Sequence, residues 1–225
     1  MKRFTLFALL WYTKYMSRAI EIIDQLAKDF PDAHCELKFS TDFELLVAVI
    51  LSAQCTDKRV NIVTSELFKK YNTPLAFATM EQEKLESLIH SCGFFRAKAK
   101  NIISASRDIL QRFNGKVPST MDELLSLGGV GRKTANVVLS VAFGEQTIAV
   151  DTHVFRTSRR LGLSDKSTPE GVEQDLVEAL PEDKRSSAHH LLIFHGRYRC
   201  HSRNPDCELC TLTDYCKYIK YGKDI

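Results

Sequence analysis

The 225-residue sequence predicts an all-α protein. Apolar residues recur at helical spacing along almost its whole length, while hydroxyl residues stand where helices begin. No run alternates apolar and polar residues between hairpin turns, so no sheet is expected. Internal repeats and low-complexity linkers are absent, and 44% hydrophobic side chains suffice for one large core or two compact ones.

Ile20, Ile23, Leu26 and Phe30 form the first apolar stripe, with Ser17 as the expected N-cap. Next, Thr41-x-x-Glu44 gives a capping-box pattern ahead of FELLVAVILSAQ. That segment is apolar on every side and reads as a central buried helix; its β-branched residues would suit a strand, and the cap decides for helix. Thr79-x-x-Gln82 and Thr120-x-x-Glu123 repeat the signal, Asn114-Gly115 ends a helix, and Thr168-Pro169 begins another.

Upstream of the first stripe, MKRFTLFALLWYTKYM has a basic start and an apolar stretch from Phe4 to Trp11. The stretch is too short to span a bilayer and no small-residue cleavage site follows, so the protein is expected to be cytoplasmic. Residues 1–15 read as a loose or non-native extension, with Met16 as a second candidate start, and their removal is expected to leave activity intact. Seven cysteines, an odd number, argue against paired disulfides and for a reducing compartment. Cys35, Cys55 and Cys92 sit among apolar neighbours and read as small buried hydrophobes.

The other four lie close together as Cys200-x6-Cys207-x2-Cys210-x5-Cys216, and the intervening His201, Ser202, Arg203 and Asn204 are polar and cannot be core. They read as ligands of one metal centre. Structural zinc sites usually have two close Cys pairs a dozen or more residues apart, whereas here only Cys207 and Cys210 form such a pair. The spacing favours an iron–sulfur cluster and leaves zinc open.

A formal net charge of only +3 provides no global field for a polyanion, so contacts with nucleic acid must come from local clusters. Four are visible: Arg96, Lys98 and Lys100; Arg132 and Lys133; Arg156, Arg159 and Arg160; Arg197, Arg199 and Arg203. Taken singly, each is as well explained by a solvated face.

LLSLGGVGRKTANVVLSVAFG, from Leu124 to Gly144, places two apolar-periodic helices around Gly128-Gly129-Val130-Gly131. Glycines there let the backbone approach a partner closely, and the amides opening the second helix make an anion site that suits a phosphate. An ordinary tight αα-hairpin also uses glycine, and a P-loop is excluded by the glycine spacing and the absence of a strand. The positive end of that helix, with Arg132 beside it, is poor company for an ammonium at Lys133 and suits an amine nucleophile; a phosphate contact is the plainer role. Asp151 in AVDTHVFR follows an apolar run and precedes a helix, as an N-cap would. A carboxylate working with an amine nucleophile would also supply the proton transfers of glycosidic cleavage.

Taken together, LxGVGRKTANVVL, AFG, IAVDTHVFR, HGRYRC and the 6-2-5 cysteine spacing resemble the endonuclease III family of the helix-hairpin-helix superfamily. LLSAQCTDKRVN and GFFRAKAKNI carry the likeness towards the N-terminus, so it covers roughly residues 17–225. The resemblance implies a bifunctional DNA glycosylase and AP lyase that removes oxidised pyrimidines from duplex DNA. It implies two helical domains, 35–145 and 1–34 with 146–225, flanking a cleft, and a C-terminal [4Fe-4S] cluster on Cys200, Cys207, Cys210 and Cys216.

Residue by residue, Lys133 matches the Schiff-base lysine and Asp151 the catalytic aspartate. Gln54 matches the glutamine that fills the gap left by an extruded base, and Phe94 stands where leucine is common as the wedge. Further DNA contacts are implied for Thr56, Asp57, Gly129, Val130, Gly131, Arg132, His153 and Arg203. Gly128 replaces the proline of the usual LPGVG turn, which predicts a looser hairpin. The partner implied is duplex DNA with a damaged base or abasic site, bound by a monomer associated with the nucleoid and no membrane.

Two rivals remain. An adenine glycosylase of the same superfamily shares the cysteine spacing but typically lacks the lysine, carries glutamate in the first helical motif and adds a C-terminal domain. This chain has Lys133 and Gln54 and continues for nine residues after Cys216. A non-catalytic DNA-binding or iron–sulfur redox module would use the hairpin and the basic clusters without needing Lys133 and Asp151 together.

Overall fold

A computed structural model describes residues 6–222, with side chains from Tyr15 onward, and contains no strand among them. The chain divides into two compact units: Cys35–Glu145, and the residues before Cys35 together with those from Gln146 on. No helix among the described residues is long and apolar enough to cross a membrane.

Helix α1, Leu6–Asp29, is longer than the first apolar stripe predicts. Ser17 is not its N-cap, because the helix is already running there; the Ser17 hydroxyl instead donates to Glu21 one turn on. The stripe itself is buried as expected at Ile23 and Leu26. Tyr15, counted with the extension, packs on the core of its unit and its hydroxyl donates to the Leu163 carbonyl. The packing of Phe4 to Trp11 lies outside the described residues.

In the middle unit, α2 (Asp42–Ser52) is buried from Phe43 to Leu51. Thr41 Oγ1 accepts the Glu44 amide at 3.1 Å, and the Glu44 carboxylate, itself buried, takes the Ser40 amide at 2.6 Å. These bonds satisfy polar groups at the start of an otherwise apolar helix. Helices α3 (Asp57–Leu67), α4 (Pro74–Ala78) and α5 (Gln82–Ile89) follow. Thr79 does not open α5; it closes α4, with its hydroxyl turned back to the Leu75 carbonyl at 2.9 Å, and Glu81 precedes α5 without a side-chain cap. Local bonding to the preceding turn competes with capping for threonine, and the sequence pattern does not distinguish the two.

Helix α6 (Phe95–Arg112) packs against α2, α4 and α5 and ends just ahead of Asn114-Gly115, both at positive φ. Helices α7 (Met121–Leu125) and α8 (Arg132–Phe143) then form the hairpin, with α8 against α2.

In the other unit α9 (Thr152–Arg160), α10 (Pro169–Ala179) and α11 (Arg185–Tyr198) enclose the buried stripe of α1, and the short α12 (Lys217–Tyr221) lies on α9. Ile22, Leu26, Val154, Leu176 and Leu192 are fully buried at its centre.

Candidate active site and cysteine loop

The hairpin turn is held by three apolar side chains at threefold spacing. Leu124, Leu127 and Val130 are all buried, and the Leu127 and Val130 amides close successive turns onto the Leu124 and Leu127 carbonyls. This register points Gly129, Gly131 and Arg132 to solvent. Gly129 adopts φ +75°, and a Cβ there would stand 2.5 Å from the Asn101 side chain. Only glycine meets both demands. A Cβ at Gly128 would likewise lie 2.8 Å from Ser104, so the turn is seated closely on α6. Val130, with its side chain in the core, has only backbone to offer a ligand.

Gly131 is the N-cap of α8 and, having no side chain, supplies no cap bond to the first turn of that helix. Lys133, half-buried, lies in this first turn. Asp151 is the N-cap of α9: its Oδ1 accepts both the His153 and Val154 amides at 2.8 Å. Both amides use one oxygen, so Oδ2 is outside the cap. His153 is half-buried beside Arg156, whose Nη2 lies 3.3 Å from His153 Nδ1. Burial holds the imidazole below its ordinary pKa, and the Asp151 carboxylate works against that.

Gln54 and Phe94 are both exposed and both in the left-handed region, at φ 52° and 56°. Phe94 is 68% exposed. Thr56 is engaged in capping α3, accepting the Arg59 amide at 3.3 Å, and Asp57 opens that helix.

Two of the basic clusters contain members that do not face solvent. Arg160 is only 3% exposed; it stacks on Tyr218 and donates to the His201 carbonyl at 2.8 Å, to Ser202 at 3.3 Å and to Cys200 Sγ at 3.4 Å. Arg156 reaches the carbonyls of Cys200 and Gly196. Both arginines therefore fasten the cysteine loop. Lys98, counted in another cluster, is also buried.

Within the loop, two single-turn 3-10 helices, Cys207–Leu209 and Thr213–Tyr215, place Cys207 and Cys210 around the first and Cys216 directly after the second. Cys200 and Cys216 are buried and Cys207 and Cys210 half-buried. Burial raises the Cys200 thiol, and the Arg160 guanidinium opposes it. Burial likewise raises Cys210, with the thiols of Cys200, Cys216 and Cys207 adding to the effect. Among the described residues no three Cys, His, Asp or Glu side chains converge as they would on a single ion. Arg203 is exposed on the same loop, and His201 faces Asp206 at 3.6 Å.

A family described as HhH-GPD superfamily base excision DNA repair protein matches residues 47–182. Endonuclease III from Rickettsia conorii is 46% identical over 198 residues, 88% of this chain and 94% of that protein. The Bacillus subtilis endonuclease III is 50% identical over 196 residues, 87% of this chain and 90% of its own length. The chain belongs to the endonuclease III family of the HhH-GPD superfamily. A solved non-covalent endonuclease III–DNA complex is 48% identical, superposes with a TM-score of 0.89, and is covered to 96% by 91% of this chain. A trapped endonuclease III–DNA covalent intermediate superposes equally well. A thermostable thymine-DNA glycosylase, 20% identical with a TM-score of 0.80, shares the endonuclease III fold.

Proposed function

We infer that the protein is a base-excision-repair DNA glycosylase with AP-lyase activity, acting on oxidised pyrimidines in duplex DNA. The observation that carries this reading is that a chain 50% identical to an endonuclease III has Lys133 in the first turn of α8, behind a glycine N-cap, and an Asp151 N-cap of α9 bonded through one oxygen only. A binding module needs neither.

The α8 amides and the exposed hairpin glycines receive a backbone phosphate, while Gln54 fills the gap left by the extruded nucleotide and Phe94 wedges beside the orphan base. The Lys133 amine attacks C1′ as the C1′–N bond to the base breaks and the base leaves with a proton. Asp151 Oδ2 stabilises the positive sugar and moves protons between the amine and the leaving base. The C1′–O4′ bond then breaks, with O4′ taking a proton, so the sugar ring opens and the C1′–N link becomes an imine that acidifies C2′. Loss of the C2′ proton expels the 3′ phosphate oxygen, so the strand is cut on the 3′ side of the lesion. Thr56, Asp57, Arg132, His153 and Arg203 are proposed as further DNA contacts.

The four loop cysteines are suited to a [4Fe-4S] cluster. A cubane bonds one thiolate at each iron, so it calls for four spaced sulfurs rather than donors converging on one ion, and the donor set contains no histidine. When bound, the cluster supplies a structural cross-link that orders the loop carrying Arg203. Every step above belongs to the protein's own side chains and backbone amides.

Anaerobically purified protein is expected to contain iron and sulfide and to nick duplexes carrying a single oxidised pyrimidine. Cleavage confined to adenine mispairs, or binding without cleavage, would point to the rival functions, and stoichiometric zinc without iron would overturn the cluster.

A further inference from the structure

Lys98 is a poor candidate for a phosphate contact, because it is 4% exposed and its ammonium donates to the Leu51 carbonyl at 2.8 Å. Leu51 lies in the last turn of α2, where carbonyls lose their helical partners. Its neighbours are satisfied locally: the Ser52 hydroxyl donates to Val49 at 2.8 Å and the Cys55 amide to Ser52 at 3.0 Å. Leu51 is served by a side chain from another helix. A cation there also meets the negative end of the α2 dipole.

The two ends of this bond are informative. Three residues after Leu51 comes Gln54 in the left-handed conformation, and one turn before Lys98 comes Phe94 in the same conformation, with the Lys98 amide bonded to the Phe94 carbonyl at 3.1 Å. Neither residue is glycine, so both backbones are held against their intrinsic preference by their surroundings. The loops also touch, since a Cβ on Gly93 would be 3.4 Å from the Gln54 carbonyl oxygen. Cys55 and Cys92 face the ammonium; burial pushes Lys98 below its ordinary pKa, and these thiols oppose it. An apolar side chain would fill the same space without desolvating a charge, so what lysine adds is one directed bond.

We propose that Lys98 is a positioning residue for lesion recognition: its buried bond to Leu51 ties the end of α2 to the start of α6 and holds Gln54 and Phe94 in mutual register. The proposal rests on the reading of those two residues as DNA contacts. Lys98 itself touches no DNA.

The test uses the holoenzyme with a duplex carrying 2-aminopurine opposite a single oxidised pyrimidine, whose emission reports the surroundings of the orphan base. Lys98→Met is expected to raise KM and Kd about tenfold while leaving single-turnover kcat within about twofold, and to reduce the emission change on binding. Lys98→Arg, which keeps a buried donor, is expected to restore most of both. If Lys98→Met does not fold, Lys98→Gln, one bond too short to reach Leu51, carries the same test. A folded variant with wild-type KM and emission, or one whose only loss is in melting temperature, overturns the proposal. Gln54→Ala separates the two levels. Unchanged Kd and emission in Gln54→Ala would remove the DNA-contact reading and this inference with it, whereas a changed Gln54→Ala beside an unchanged Lys98→Met would remove this inference alone.

Discussion

Asp151 accepts both of its helix amides on Oδ1, so the folding role falls to one oxygen and the proposed chemical role to the other. The two roles separate on substitution. Asparagine is as good an N-cap as aspartate but cannot carry the charge or the proton, so Asp151→Asn is expected to melt within a few tenths of a kcal/mol of wild type. Its base release is expected to fall by on the order of a hundredfold or more. Asp151→Ala is expected to lose the cap as well, about 1 kcal/mol. Thermal denaturation and single-turnover kinetics on the two variants check this, and a large stability loss in Asp151→Asn would show that the charge serves the fold. At this scale the sequence shows residue type and not burial. The cap at Asp151 was legible in AVDTHVFR, whereas Arg160 and Lys98 looked like surface cations because nothing local to them says that Cys200, Ser202 and Leu51 are their partners.

Among the elements, helices announced by a hydroxyl cap with apolar periodicity behind it were readable: Thr41, Thr120 and Thr168 all accept the amide three residues on. Thr79 and Ser17 carry the same signal and fail, one spent on the preceding turn and the other inside a longer helix. Where α1 begins was hidden because Tyr15 is fixed by Leu163, 148 residues away. Tyr15 therefore belongs to the body, and a truncation meant to spare activity should stop at Lys14. Burial, with Asp175 and Asp165 adding to it, pushes the Tyr15 phenol up to about 12. A raised phenol contributes stability that is complete below the unfolded value of about 10 and is lost as pH rises through the folded one. Tyr15→Phe is thus expected to be less stable than wild type by about 1 kcal/mol at neutral pH, the worth of one hydrogen bond, with the gap closing between about pH 10 and 12. Denaturant melts across that range check it; a gap that widens with pH would refute the buried, protonated phenol.

For the molecule as a whole, a net charge of +3 concealed the partner, because the groups proposed to meet DNA are chiefly backbone amides, a glutamine and a phenylalanine rather than a basic face. The motifs compensate: GVGRKT, VDTH and the cysteine spacing single out the residues proposed for the site. The packing that makes them usable, Gly128 and Gly129 seated on α6 and the arginines clamping the loop, joins residues far apart in the chain and has no local signature. Lys133 is carried by the Cys35–Glu145 unit and Asp151 by the other. The central claim is that Lys133 forms the covalent link to the sugar. Borohydride added during turnover on lesion-bearing duplex is expected to leave protein covalently bound to DNA, with the modified peptide mapping to Lys133. Lys133→Gln is expected to bind the duplex and yield no adduct. Efficient trapping by Lys133→Gln would place the chemistry on another amine and contradict the account.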